Sequence, residues 1–210
     1  MKLKKIASLL LAGVMAVSML TACAEGGKNE EDNSASSEAP TVNGAAAALN
    51  AALSRNKDTI TFENDDELNK DLEAYFSLHP IMGDTWNSKN YVVDDYTTDT
   101  ALNTVIGSNW TGWSNLSNLA TAKQDDGAHD GKSVAWISMY NTAVYTQADA
   151  LKTVGKAIDS LDFVDDKNNT NDGKMYSFSG NASVLEVKSE KGAASVWVVV
   201  VTVTKDYVAV

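Results

Sequence analysis

The clearest pattern of apolar and polar positions lies in the last third of the chain. Residues 193–204, AASVWVVVVTVT, are almost wholly apolar. A strand with that pattern is covered on both faces, so this segment is expected at the centre of a sheet. SVAWISMY, 133–140, reads as a second inner strand for the same reason. Between them, Thr146 and Asp149 open a helix whose Leu151, Val154, Ile158 and Leu161 fall on one stripe. Asn171-Asp172-Gly173 is a hairpin-type turn. MYSFSG and ASVLEVKS read as two strands joined by a turn at Gly180-Asn181, and residues 189–192 turn again. The order predicted from residue 133 onward is β-α-β-β-β.

Upstream, AAAALNAALSR at 45–55 has high helix propensity, with Leu49, Ala52 and Leu53 on one face and Asn43 placed to cap its start. DTITFE alternates Ile60 and Phe62 against polar neighbours, the rhythm of a half-buried strand. Asn64 and Glu67 form a variant of the capping box, followed by Leu68, Leu72, Tyr75 and Phe76 at helical spacing up to a stop before Pro80. Tyr91–Val93 reads as a short strand and Thr98–Ile106 as a short helix ended by Gly107. Residues 107–131 are rich in Asn, Ser, Gly and Asp and read as a long loop. Together these elements predict an α+β fold, a mainly antiparallel sheet with helices packed on one face.

The N-terminus follows a different logic. MKLKK carries three lysines, Ile6–Leu20 is apolar, and small residues precede the single cysteine, Cys23. That order is a secretory signal peptide. Leu20-Thr21-Ala22-Cys23 resembles the lipobox of bacterial lipoproteins. The resemblance implies a diacylglyceryl group on the Cys23 thiol, cleavage before it, and a cell-membrane location facing away from the cytoplasm. Residues 24–43, AEGGKNEEDNSASSEAPTVN, have almost no large apolar side chain and read as a flexible tether with an r.m.s. reach of about 25 Å. The expected organisation is a signal peptide over 1–22, the lipidated Cys23 and its tether over 23–43, and one globular domain over 44–210.

Charge and composition narrow the function classes. The 210 residues carry a formal net charge of −11. Residues 1–22 hold three lysines and no acid, so their removal takes the charge to −14. No basic cluster exists beyond the first five residues, which argues against nucleic acid as a partner. Lipidation would consume the only thiol, leaving no disulfide and no cysteine zinc site.

Motifs for chemistry are sparse. There is no G-x-S-x-G elbow, no P-loop and no G-x-G-x-x-G, so nucleotide binding has no support. The doublets Asp65-Asp66, Asp94-Asp95, Asp125-Asp126 and Asp165-Asp166 sit beside turn and cap residues, where carboxylates end elements. Residues 165–173 are oxygen-rich, but they depart from EF-hand spacing and fit a hairpin turn. His79 and His129 read as surface or capping residues. No catalytic residue, metal ligand or cofactor is assigned. Trp110 and Trp113, in GSNWTGWSN, are the one weak ligand-binding pair: exposed, they would stack on a sugar ring or anchor a protein partner, and folded back they would staple the loop to the core. The expected function is a membrane-anchored binding or interaction module for an extracellular glycan, cell wall or protein; the alternative is a carboxylate-dependent cell-wall or glycan hydrolase.

Overall fold

The computed structural model describes residues 44–81, 92, 93, 96, 98–108, 110–121, 132–163, 174–188 and 194–209. In chain order these form α1 (Ala45–Ala52), β1 (Ile60–Asn64), α2 (Asp66–Leu78), β2 (Val92–Val93), α3 (Thr100–Ile106), β3 (Trp110–Thr111), α4 (Trp113–Thr121), β4 (Lys132–Asn141), α5 (Gln147–Asp159), β5 (Lys174–Lys188) and β6 (Ser195–Ala209). The class is α+β. The sheet runs β1-β5-β6-β4-β2, with β3 paired to the same edge of β4 as β2. It is mostly antiparallel; β1 with β5 and β3 with β4 are the parallel pairs.

The Val-rich β6 lies at the centre, as its pattern demands. Val196, Val198 and Val200 point to one face, Val199, Val201 and Val203 to the other, and all six are buried. Each such side chain contributes roughly 1.5–3 kcal/mol when fully removed from water, so neither face can be left open here. α1, α4 and α5 cover one face, packing Leu49, Leu116, Leu119, Leu151, Val154 and Ile158 against the strands. α2 and α3 cover part of the other with Leu68, Leu72, Phe76, Leu102 and Ile106. The helices therefore divide between both faces instead of gathering on one, because an apolar run at period one has two faces to bury.

Local chemistry sets the element ends. Thr146 and Asp149 complete the capping box that opens α5. Gly107 closes α3 at φ 72°, a left-handed position that favours glycine. α2 is capped by Asp65, whose side chain accepts from the Leu68 N–H, and not by Asn64. Asn64 instead reaches across to accept from the Ala46 N–H in the first turn of α1; Asn43 lies outside the described residues. Asn50 of α1 donates to the Phe62 carbonyl and accepts from its N–H, both at 2.9 Å. This side chain stands in for a neighbouring strand on the outer edge of β1.

The turn expected at Gly180-Asn181 is absent. β5 runs unbroken through it, in continuous register with β6 from Lys174↔Ala209 to Lys188↔Ser195. The C-terminal order is thus β-α-β-β. Gly180 lies opposite Phe62 in the β1–β5 pair, and a Cβ there would fall 2.4 Å from the Phe62 ring. The glycine makes room for an aromatic side chain lying over the strand. The loop expected over 107–131 also contains structure: β3 and α4 occupy Trp110–Thr121, with Leu116, Leu119 and Ala120 buried at helical spacing. Gly180→Ala should cost about 1–3 kcal/mol in urea unfolding through overpacking, and that cost should shrink when Phe62 is also changed to Leu.

Candidate functional site

β3 and the start of α4 carry the tryptophan pair. Trp110 pairs with Val134 in parallel register, and the Gly112 N–H donates to the Ala135 carbonyl. This short parallel contact presses both indoles onto the sheet. The Trp113 ring meets that of Trp136 at a centroid distance of 4.7 Å and an angle of 57°. Trp110 and Trp113 are both half-buried and pack against the core under α1, α4 and α5. Around them Ser108 donates to the Ser133 carbonyl, Asn115 to the Thr111 carbonyl, and Thr98 bonds Thr111. The geometry is that of a staple holding β3 and α4 to β4.

A second feature went unseen in the sequence. Among the described residues, helical cover on the face that carries α2 and α3 ends partway along the sheet. Beyond Val200, the residues of β6 on this face become Thr202, Thr204 and Asp206. Ser177, Ser179 and Asn181 of β5 and Thr61 and Glu63 of β1 share the face and are exposed. One cross-strand row reads Thr61, Ser179, Thr204, Ser133, four hydroxyls on four adjacent strands. Ser133 and Thr204 hydrogen-bond at 2.5 Å. The described positions of this patch hold hydroxyls, one amide and the carboxylates of Glu63 and Asp206, with no large apolar and no basic side chain. The signal was present as alternation in VTVTKD, but the preceding valines masked it.

Four of the described carboxylates, Asp65, Asp99, Asp149 and Asp159, are engaged at helix ends. Asp99 caps α3; its carboxyl is held low by the hydrogen bond from the Leu102 N–H, then by that from the Tyr75 hydroxyl. Burial, reinforced by that bond to Asp99, pushes the Tyr75 phenol up to about 12. His79 stacks on the Tyr75 ring at 4.5 Å, its Nδ1 3.1 Å from the Tyr75 carbonyl oxygen, beside the exposed Leu78. This trio ties the end of α2 to the start of α3.

Asp159, the last residue of α5, accepts from the N–H groups of Ser54, Arg55 and Asn56 at 2.8–3.0 Å and from the Ser54 hydroxyl at 2.7 Å. Asn56 answers by donating to the Asp159 and Leu161 carbonyls, and Arg55 pairs with Asp162. Ser54 and Lys57 have the S-x-x-K spacing of some acyl-transfer nucleophiles, but here the serine hydroxyl is held by Asp159 in an exposed loop. On the same face of the sheet as α1 and α5, Lys205 is buried, its Nζ 4.0 Å from the Tyr176 ring centroid, a cation–π contact.

Among the described residues no group of three or more His, Cys, Asp or Glu side chains could hold a metal ion, and no helix is long and apolar enough to cross a membrane. Cys23, Trp86, His129, the doublets at 94–95, 125–126 and 165–166, and the oxygen-rich segment 165–173 lie outside the described residues.

Two outcomes follow from these contacts. Trp113→Ala should destabilise the domain by about 2–3 kcal/mol in urea unfolding, and Trp110→Ala should add to it, since each removes an aromatic side chain packed on the core. Burial pushes the Asp159 carboxyl upward, but the hydrogen bonds from Asn56, Ser54 and Arg55 outweigh it and the net shift is downward. A carboxyl lowered by folding stabilises the fold above its unfolded value near 3.9, and that contribution is lost as pH falls through the folded value. Asp159→Asn should therefore lower the thermal midpoint at pH 7, and the difference from the parent should fade toward about pH 2.

No protein-family model, no curated protein and no solved structure matches this chain.

Proposed function

We propose that this protein is a lipid-anchored, extracytoplasmic binding module that works by docking rather than by catalysis. The observation that carries the reading is the order of segments: a basic and apolar leader, Leu20-Thr21-Ala22-Cys23, an acidic tether, then a folded α+β domain. Acyl chains on Cys23 hold the domain at the membrane. The tether gives it a reach of about 25 Å, and the net charge of −14 keeps its surface off anionic lipid. Two chains on one residue suffice for stable attachment, because each buried methylene contributes about 0.8 kcal/mol.

The binding role is supported by how the side chains are used. Asp65, Asp99, Asp149 and Asp159 each accept bonds that end or join helices, which leaves them poorly placed for general acid–base work. The patch over β1, β5 and β6 is polar, and its Thr61, Glu63, Ser177, Ser179, Asn181 and Asp206 are exposed, as a docking surface requires.

In cells expressing the full chain, a fatty-acid analogue should label the wild type and leave Cys23→Ala unlabelled and released from the membrane fraction. Labelling that survives the substitution would overturn the anchor.

A further inference from the structure

We infer that the open half of the sheet is a docking face for an uncharged, hydroxyl-rich polysaccharide laid across the strands. The inference rests on the binding-module reading above and names its ligand class.

Four observations select that ligand. First, the row Thr61, Ser179, Thr204, Ser133 places four hydroxyls on adjacent strands, spanning about 14 Å at the ordinary strand spacing, with Thr61 and Ser179 exposed and Thr204 and Ser133 half-buried and bonded to each other. Each hydroxyl both donates and accepts, as sugar hydroxyls do. Second, charge complementarity excludes anions. The charged side chains described on the strands of this face are the carboxylates Glu63 and Asp206, and the α2 N-cap Asp65, whose main chain bonds Ala182 and Ser183, leads into Asp66 and Glu67 in the first turn of α2. An anionic polymer is repelled, both locally and by the charge of −14. Third, a protein interface of useful affinity is built around buried aromatic or aliphatic anchors, and the described positions of this face supply none. Fourth, the hydroxyls sit on paired strands, and Thr61 and Thr204 are β-branched and stiff at χ1. Little side-chain freedom is lost on binding.

Polar contacts made in competition with water are individually weak, so a single domain binds weakly. Many copies tethered to one membrane and meeting one polymer gain by multivalency, which is the arrangement the lipid anchor creates.

The test is co-sedimentation of the full chain, held in detergent micelles, with insoluble chitin as the neutral glycan and with a polygalacturonate gel as the anionic one. The parent should sediment with chitin and not with polygalacturonate. The variant carrying Thr61→Val, Ser177→Ala, Ser179→Ala and Asn181→Ala changes exposed side chains only; it should bind chitin at least tenfold less at an unchanged thermal midpoint. A single Ser179→Arg, projecting a long side chain from the middle of the row, should act likewise. Equal binding of the parent and either folded variant overturns the inference. So does failure of the parent to sediment with chitin, or equal sedimentation with both polymers. Loss of the glycan result with fatty-acid labelling of Cys23 intact leaves the anchored-module reading standing and removes only the ligand class and its site.

Discussion

The central strand governs this fold. From Val196 to Val203, β6 buries valines on both faces, and only strands on both edges and helices on both sides can satisfy it. β5 and β4 take the edges in long antiparallel registers. α1, α4 and α5 close one face, and α2 with α3 close the other. The three-layer arrangement follows from that one run of residues. A sheet whose central strand alternated throughout would need cover on one side alone.

Hydrophobic cover is non-directional, so it leaves open where each helix sits. Side-chain amides and carboxylates provide the direction. Asn50 locks α1 to the edge of β1 through both polar atoms of its amide, and Asn64 returns a bond to the first turn of α1. Asp159 and Asn56 join the end of α5 to the loop after α1 by exchanging bonds with each other's main chain. Close approach of α1 and α5 is allowed by Gly155, where a Cβ would fall 2.6 Å from that of Ala52. Each tie links segments far apart in sequence, and each satisfies polar groups that would be costly if buried alone.

How much of this was legible depended on the range of the interaction. Local signals read well. The Thr146–Asp149 capping box, the stripe on α5, the stop of α2 before Pro80 and the Gly107 cap each depend on residues within one or two turns of each other. Long-range signals misled. Gly180-Asn181 has turn composition, yet its glycine serves Phe62, more than a hundred residues away in sequence. Asn64 looked like a cap for the helix that follows and caps the helix that precedes it. α4 was hidden by poor helix formers, Ser and Asn, although Trp113, Leu116, Leu119 and Ala120 carried the right period. For the tryptophans, the sequence left exposure and burial open, because the deciding partner, Trp136, comes from another element.

The same strand that organises the core also marks where the core ends. On one face of β6 the side chains run Val196, Val198, Val200 and then Thr202, Thr204, Asp206, while the opposite face stays buried through Val203 and Lys205. A strand that simply left the core would turn polar on both faces. One that turns polar on a single face remains clamped from behind, and its exposed side is held by the packing beneath it. β5 makes the same switch in register, from Val187 and Leu185 to Asn181, Ser179 and Ser177, and β1 beside it shows only Thr61 and Glu63 on this face. The result is a polar surface backed by packed side chains. Such a surface presents hydrogen-bonding groups already ordered, so a ligand binding there gives up only its own freedom. The one-sided switch makes this patch a better candidate for docking than the half-buried tryptophans, whose rings are already engaged in holding β3 and α4 in place.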